Sequence, residues 1–273
     1  RDVVNRFGCT VAKANTIRLK TGEELELLRQ ANQIVAEVLS LLEKAVAPGI
    51  STWELDRLSE QCCLDLGATP AFKGYYGFPA SLCASINEEV VHGIPSRKRI
   101  LREGDIISLD FGALYKRFYG DSAITVAVGQ VNERTTRLMQ VTEESLYKGI
   151  AQAQAGNRVS DISKAVQEHA EAAGFSVVRQ YVGHGIGTQL HEAPEVPNYS
   201  SPGSSSPRLQ DGMVLAIEPM INMGTYAVKT LGDKWTVVTE DRRPSAHFEH
   251  SVAITAAGPV ILSSRALLAG KSV

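Results

Sequence analysis

The sequence has little of what marks secreted, membrane or nucleic-acid-binding proteins. Its 273 residues contain only four cysteines, too few for a disulfide framework at this length, and no secretory signal is visible. No apolar run is long enough to span a membrane. The formal net charge is −2, and no run of lysines and arginines offers a surface for nucleic acid. We therefore expect a cytoplasmic protein that contacts neither membranes nor nucleic acid, with reduced thiols at Cys9, Cys62, Cys63 and Cys83.

Two capping boxes predict a pair of helices near the start of the chain. Thr21 and Ser51 are each followed three residues later by glutamate, a pattern in which the two side chains satisfy the first amides of a helix. Apolar residues then recur at three- and four-residue spacing. The first helix is expected to stop at Pro48-Gly49 and the second at Gly67, because glycine favours helix termination. Residues 1–20 form a predicted N-terminal extension.

A second predicted helix pair repeats the first. Asn132 opens a helix that reaches about Ala155, and Ser160 opens another that ends at Gly174. A shift of 107 residues superposes Gly49 on Gly156, Glu54 on Asp161, Leu55 on Ile162 and Gly67 on Gly174. We therefore predict a single domain over residues 1–273, built from two related halves at about residues 21–128 and 132–262.

Strands are predicted after each helix pair, and the predicted fold class is therefore α+β. Residues 106–115 and 118–128 are typical of a hairpin with its turn at Lys116-Arg117. In the second half the predicted strands are Val177–Val182, Met213–Glu218, Trp235–Glu240 and Phe248–Thr255. The serine- and proline-rich residues 200–207 are interpreted as a surface loop rather than a flexible linker.

Four acidic residues share an unusual position on the predicted strands. They are Asp110, Asp121, Glu218 and Glu249. Because side chains alternate between the faces of a strand, each acid points away from the aliphatic face that packs on helices. A single such acid is normally a solvated edge residue, but four that converged would repel one another unless cations balanced them. Two divalent cations would balance the four charges, and a carboxylate-rich site with one imidazole suits Mn, Fe, Co or Zn.

Three of the six histidines lie in segments bounded by glycine or proline. They are His92 in NEEVVHGIP, His184 in VGHGIG and His191 in HEAP. A lone histidine on a strand is more often a core residue than a ligand, but glycine neighbours let the backbone approach closely. We interpret these three as candidate site residues. His169 is interpreted as structural, while His247 and His250, which flank Glu249, are left open as outer neighbours of the site.

Seven short motifs together carry a family resemblance. In order they are NEEVVHGIP, SLDFGA, YGDSA, VGHGIG, HEAP, AIEPM and FEHS. In this order and spacing, from about Thr21 to Leu262, the chain resembles the type I methionine aminopeptidases. The resemblance implies the pita-bread fold, in which two pseudo-symmetric halves place curved antiparallel sheets inside and helices outside. It also implies a hydrolase that removes the N-terminal methionine of nascent polypeptides and prefers a small second residue.

The resemblance implies a role for each candidate site residue. The implied metal ligands are Asp110, Asp121, His184, Glu218 and Glu249. Asp110 would bind one ion and His184 with Glu218 the other, while the two remaining acids would be shared. A hydroxide held between the ions would attack the first peptide carbonyl, and Glu218 would handle its proton. His191 would steady the carbonyl oxygen, and His92 would contact the scissile amide nitrogen.

An apolar pocket for the methionine side chain is implied as well. The matching residues are Tyr75, Phe78, Cys83, Leu190 and Trp235, with His92 and His191 also touching the substrate. Phe72 lies at the margin of this pocket, and core packing is an equal alternative for it. Leu190 and Phe72 depart from the residues expected in the family, which affects the fine substrate preference. The metal-binding N-terminal extension of some relatives is not expected, because no CxxC pair occurs.

Four alternatives are weighed against this resemblance. Prolidases and proline aminopeptidases usually carry a further N-terminal domain, for which we expect no room before Thr21. Type II methionine aminopeptidases carry a helical insertion too long for residues 191–213. A non-catalytic binding protein on the same scaffold would lose ligands, and a creatine amidinohydrolase would not need four acids. The implied partners are nascent N-termini and, as a candidate, the ribosome, and we expect a monomer.

Overall fold

The computed structural model describes residues 16–200 and 206–268, and the four α-helices in these ranges form two pairs. They are Gly22–Ala45 (α1), Thr52–Asp65 (α2), Glu133–Gln152 (α3) and Val159–Ala172 (α4). Both predicted capping boxes are confirmed, because the Thr21 and Ser51 side chains each accept a bond from the amide of a glutamate that bonds back. Gly67 follows the second helix in the left-handed region, at φ +75°.

The second pair differs slightly from its prediction. α3 ends at Gln152, before the predicted end. α4 begins at Val159 rather than at Ser160, the predicted start. The Asp161 carboxylate accepts the backbone amide of Arg158 at 2.7 Å and so fixes the first helical turn one residue earlier.

The two helix pairs are tied to the rest of the chain in the same way. Gly49 and Gly156 both have φ +96°, a left-handed conformation that favours glycine. The Gly49 amide donates to Leu101 O at 2.8 Å, and the Gly156 amide donates to Leu209 O at 2.9 Å. Isolated bridges repeat this match between Ser51 and Ile100 and between Arg158 and Arg208. The two pairs therefore share their attachments, while a single domain of two related halves stays a prediction.

Fifteen strands occur within the described ranges. They are Thr69–Pro70 (β1), Cys83–Ile86 (β2), Glu89–Val91 (β3), Ile106–Tyr115 (β4), Phe118–Ala127 (β5), Ser176–Val177 (β6), Gly183–Gly185 (β7), Glu192–Val196 (β8), Val214–Ile217 (β9), Met220–Asn222 (β10), Val228–Thr230 (β11), Val237–Thr239 (β12), Ser245–His247 (β13), Glu249–Thr255 (β14) and Gly258–Ile261 (β15). Short 3-10 helices lie at Tyr75–Gly77 and Arg265–Leu268.

The strands form one large and two small antiparallel sheets. Nine strands make a central sheet in the order β1-β4-β5-β14-β9-β7-β8, with β2 on β4 and β15 on β14. The small sheets have the orders β13-β10-β6 and β11-β12-β3. Every strand pairing in the described residues is antiparallel.

The central hairpin follows its prediction closely. β4 spans the predicted residues, and β5 ends one residue early, at Ala127. Lys116 and Arg117 form the turn, with φ of +47° and +74°. Positive φ at both turn residues gives the twist that a two-residue hairpin favours, even though neither residue is glycine.

All four strand predictions in the second half are wrong in extent. Met213–Glu218 and Trp235–Glu240 shorten to β9 and β12, and the other two fail where the chain changes sheets. Of Val177–Val182 only the first residue lies in a strand, since β6 pairs in a small sheet whereas β7 joins the central sheet. The residues between β6 and β7 therefore cross from the small sheet to the central sheet. Phe248 marks a second change of sheet, between β13 and β14. Of the predicted surface loop, residues 201–205 lie outside the described part of the chain.

The helices cover one face of the central hairpin. Phe111 and Ile124 share a core cluster with Leu39 of α1. Alternation along the strands then puts Asp110 and Asp121 on the opposite face, as predicted. Among the described residues, no helix is both long and apolar enough to cross a membrane.

Helix α1 meets strand β5 backbone to backbone at Gly120. A methyl group at this position would lie 2.7 Å from the carbonyl carbon of Ala31. The side chain of Asn32, the next helix residue, donates to Leu28 O at 2.9 Å and accepts the Asp121 amide at 3.3 Å. The helix therefore fixes the backbone beside Asp121.

Candidate metal centre and adjoining pocket

Three carboxylates meet around one alanine of the central sheet. Ala123 in β5 pairs with Asp110 of β4 on one side and with Glu249 of β14 on the other. Asp121 precedes Ala123 by two residues and therefore faces the same side of the sheet. Because an alanine methyl fills little space, acids from three adjacent strands share the volume above it.

The fourth acid and a histidine come from neighbouring strands. His184 lies in β7, which pairs with β9, and Glu218 follows β9 directly. His184 Nε2 lies 3.6 Å from Glu218 Oε1 and 4.0 Å from Asp121 Oδ2. One donor atom each from Asp121, His184 and Glu249 lies within 4.8 Å of the others, a set that could hold a metal ion. His184 Nδ1 donates to Gly185 O at 3.0 Å, which leaves a lone pair on Nε2 facing the acids.

Asp121 and Glu249 are buried and Asp110 and Glu218 are half-buried, with no lysine or arginine ion-paired to any of the four among the described residues. Burial raises the pKa of Asp110 to about 7 and that of Glu218 to about 8. The pKa values of Asp121 and Glu249 are raised well above their usual range, because repulsion between the acids adds to burial. Three buried oxygens accept no hydrogen bond from the described residues: Asp110 Oδ1, Asp121 Oδ1 and Glu249 Oε1. Such oxygens fit divalent cations.

His247, which the sequence left open, lies inside this centre. Its side chain is 1% exposed, and its Nε2 lies 3.6 Å from Glu218 Oε2, so Glu218 has an imidazole opposite each oxygen. Neither ring nitrogen has a hydrogen-bond partner within residues 16–200 and 206–268. His247 and Glu249 are two positions apart in the sequence, the spacing of residues on one face of a strand, and this signal could have placed His247 in the centre. His250 instead lies 2.8 Å from Ser263 Oγ, and His169 pairs with Glu144 on the helix surface.

His191 and Tyr75 border the acids. The ring centroids of His191 and His184 are 4.3 Å apart, and Tyr75 Oη lies 2.7 Å from His191 Nδ1. Burial raises the pKa of Tyr75, so the phenol stays protonated. Its hydroxyl donates a hydrogen bond to Nδ1 of His191, and the hydrogen of the neutral His191 ring is therefore on Nε2. Desolvation and the neighbouring His184 lower the pKa of His191, so its ring is neutral at pH 7.

His92 lies among aromatic rings. Its ring packs edge to face on Tyr181 and Trp235, with centroids 5.7 and 6.3 Å away. Burial lowers the pKa of His92 to about 4, so this ring is also neutral at pH 7. Its backbone is left-handed, at φ +59°, and Gly93 follows where a methyl group would lie 2.3 Å from Ala84 O. Sequence reasoning missed Tyr181, because no motif marks it.

The predicted pocket residues gather in one apolar cluster. Its members include Tyr75, Phe78, Cys83, Leu190 and Trp235, together with Phe72, Ile186 and Val214. The rings of Phe78 and Trp235 meet edge to face at 5.1 Å. Cys83 pairs with Asp110 across β2 and β4, so the cluster adjoins the acids.

Comparison with known proteins agrees with this geometry. The family model for metallopeptidase family M24 matches residues 26–256. The chain is 55% identical over 247 residues to the methionine aminopeptidase of Clostridium acetobutylicum. The aligned region covers 90% of this chain and 98% of that protein. It is 53% identical over 244 residues to methionine aminopeptidase 1 of Bacillus subtilis, which covers 89% of this chain and 98% of that protein.

Solved structures share the architecture. The crystal structure of methionine aminopeptidase from Thermotoga maritima has a TM-score of 0.89 and 44% identity, covering 91% of this chain and 100% of that one. The prolidase from Pyrococcus horikoshii OT3 has a TM-score of 0.72 at 22% identity, covering 90% of this chain and 63% of that one. At that lower identity the likeness shows the fold alone.

The predicted pita-bread fold is confirmed, and the chain belongs to metallopeptidase family M24. Within that family it belongs with the methionine aminopeptidases, as the motif resemblance predicted. It is therefore a metal-dependent hydrolase, and its cofactors are divalent metal ions. The buried acids and imidazoles described above fit that requirement.

Proposed function

We infer that this enzyme removes the N-terminal methionine from nascent polypeptides. One observation carries the inference: an apolar cluster containing Phe78, Leu190 and Trp235 adjoins a set of side chains that could hold a metal ion. An apolar pocket beside a hydrolytic centre suits recognition of an unbranched apolar side chain. The relatives that bear the name methionine aminopeptidase support the same inference.

We propose that five side chains hold two divalent ions. Asp110 would hold one ion, His184 and Glu218 would hold the other, and Asp121 and Glu249 would contribute to both. Asp121 and Glu249 are only 4% and 2% exposed, which supports a shared position in the middle of the centre. When bound, such ions act as Lewis acids and lower the pKa of water toward neutrality. Mn, Fe, Co and Zn all suit this donor set.

The side chains around the ions bind the substrate and move its protons. Glu218 takes the proton of the attacking water and returns it to the departing amine. His191 donates from Nε2 to the carbonyl oxygen as negative charge develops there. His92 contacts the scissile amide nitrogen, and the apolar cluster receives the methionine side chain.

The setting of the enzyme is part of the same proposal. We propose one catalytic domain of two related halves, supported by the matched turns at Gly49 and Gly156. The enzyme acts as a monomer in the cytoplasm, where nascent chains are made, with the ribosome as a candidate partner and a small second residue preferred. Cys62, Cys63 and Cys83 are free thiols, which suits a reducing compartment.

A peptide assay tests this function. The metal-reconstituted protein is incubated separately with Met-Ala-Ser and with Ala-Pro-Ala, and the released amino acids are measured. We expect methionine from the first peptide and no release from the second. Release of alanine from Ala-Pro-Ala, without cleavage of Met-Ala-Ser, would instead indicate a proline aminopeptidase.

A further inference from the structure

A buried ion pair joins the segment before α1 to the substrate side of the site. Lys20 Nζ lies 2.6 Å from Glu192 Oε2, and the two side chains are 2% and 10% exposed. Lys20 Nζ also donates to Arg18 O at 3.0 Å, and the Lys20 amide donates to Gly212 O at 2.7 Å. The reaction proposed above uses neither member of this ion pair.

The ion pair holds the loop that carries His191. Residues 186–191, here called the substrate loop, connect β7 to β8, and Glu192 follows them directly. The Gln189 amide donates to Glu192 Oε1 at 3.2 Å, while Glu192 Oε2 accepts from Lys20. One carboxylate oxygen therefore binds the loop backbone, and the other binds the segment before α1.

Gly187 shows how closely the ion pair packs on the substrate loop. A methyl group at this position would lie 2.5 Å from Glu192 Oε1 and 2.7 Å from Lys20 Cε. On its other side the loop is bound to β5, because Gly187 O accepts the Tyr119 amide at 2.9 Å. The substrate loop thus lies between the ion pair and the strand that carries Asp121.

We propose that Lys20 is a positioning residue, which acts through Glu192 to fix the substrate loop so that His191 faces the scissile carbonyl. The proposal rests on the role given to His191 above. A buried ion pair that loses one partner leaves a charge without compensation, and the structure around it must move to solvate that charge. A shift of about 1 Å in a catalytic group can lower turnover about a hundredfold. Because His191 acts on charge that develops in the transition state, the loss falls on kcat more than on KM.

Three variants of the full chain test this positioning role. Lys20→Met removes the charge and keeps the chain length, and Lys20→Arg restores a cation. Arg29→Met breaks an exposed ion pair with Glu26 on α1 and is the matched control. We expect Lys20→Met to lower kcat for Met-Ala-Ser at least about tenfold, with KM changed less than about threefold. Lys20→Arg should recover most of the kcat, Arg29→Met should match the wild type, and bound metal should be the same in all.

Two further measurements separate positioning from general stability. Glu192→Gln should lower kcat as Lys20→Met does, and the double variant should lose no more than either single one, since groups that act as a unit are not additive. The second measurement is hydrogen exchange of the backbone amides, which does not depend on catalytic activity. Amides of the substrate loop should exchange faster in Lys20→Met, while those of β4 and β5 keep their wild-type rates.

Several results would overturn the proposal. One is a Lys20→Met enzyme with wild-type kcat, and another is a fall in kcat matched by a loss of bound metal. Faster exchange throughout the chain would also contradict it, because that indicates a general loss of stability. If the wild type fails to cleave Met-Ala-Ser, the proposed function fails, and the exchange comparison alone decides whether Lys20 holds the substrate loop.

Discussion

At the scale of single residues, the centre consists of side chains whose ordinary charges are suppressed by burial. The pKa values of Asp110 and Glu218 rise to about 7 and 8, while those of His92 and His184 fall to about 4. Near neutral pH the acids therefore hold protons that they would lose in water, and the imidazoles are neutral. A cation binds such acids by displacing their protons, whereas the neutral His184 imidazole binds it without losing one.

Replacing His184 by alanine should remove both metal binding and turnover. Its Nε2 faces two acids, Glu218 and Asp121, at 3.6 and 4.0 Å. We expect affinity for a divalent ion to fall at least about a hundredfold, and Met-Ala-Ser cleavage to fall with it. Elemental analysis after dialysis measures the bound metal. His169→Ala, which removes a surface imidazole paired with Glu144, is the control and should behave as the wild type. Retained metal and turnover in His184→Ala would refute its assignment as a ligand.

Replacing Trp235 by alanine should weaken methionine recognition without removing metal. Its ring packs on Phe78 within the apolar cluster and contributes no donor atom to the acidic set. We expect kcat/KM for Met-Ala-Ser to fall on the order of tenfold, as for the loss of a few apolar contacts in a pocket. Steady-state kinetics and elemental analysis are measured on the same sample. Equal loss of metal would point to a structural role for this residue.

At the scale of secondary-structure elements, the features that could be predicted are those with local causes. Helix starts depend on residues within one turn, as at Thr21 and Ser51, and the β4–β5 hairpin depends on its own turn. The breaks between β6 and β7 and between β13 and β14 depend instead on which distant strand each segment pairs with. Local patterns do not determine such pairing, because strand preference is set by tertiary context.

The site residues also divide into those with a local signal in the sequence and those placed by tertiary packing. Alternation along a strand predicted the face of each acid, since it needs only a period of two residues. His247 shares parity with Glu249 but lies across a change of sheet, and Tyr181 reaches His92 only through packing. No sequence pattern marks the ion pair between Lys20 and Glu192, because the two residues are 172 positions apart.

Replacing Gly120 by alanine tests the contact between α1 and β5. The added methyl group would lie 2.7 Å from helix backbone, which cannot move without shifting α1 away from the strand. We expect the free energy of unfolding to fall by about 1–3 kcal/mol, as for other overpacked sites. Gly22→Ala is the matched control, because a methyl group there meets nothing within 4 Å. Urea unfolding of both variants measures the difference, and equal stability would contradict the close contact.

At the scale of the whole molecule, metal binding and folding are linked. The predicted ligands come from, or directly follow, strands β4, β5, β7, β9 and β14, all members of the central sheet. An ion bound among them would join segments far apart in the chain. Without an ion, ionised acids in one buried volume repel one another and oppose folding.

The metal-free protein should therefore lose stability as pH rises from about 7 to about 8.5. The folded chain binds protons at Asp110 and Glu218, with pKa values of about 7 and 8, whereas the unfolded chain has already lost them, since their usual values are 3.8 and 4.5. More protons bound in the folded state means that the free energy of unfolding falls as pH rises, here by on the order of 1 kcal/mol.

Urea unfolding with a chelator, at about pH 7 and about pH 8.5, measures this decline. The buried histidines oppose this decline, because the unfolded chain binds protons on them near their usual pKa of 6.5 and the folded chain does not; above about pH 7 this opposing change is the smaller one. A saturating divalent ion should abolish the decline, since binding favours the ionised acids. A metal-free protein whose stability stayed level or rose would show that these acids are not buried together.

Anomalous diffraction from crystals of the cobalt-loaded protein tests the central claim most directly. We predict two strong peaks about 3.5–4 Å apart, with Asp121 and Glu249 touching both ions. Asp110 should touch only the first ion, and His184 with Glu218 only the second. Peaks bound by other side chains, or none among these five residues, would contradict the account.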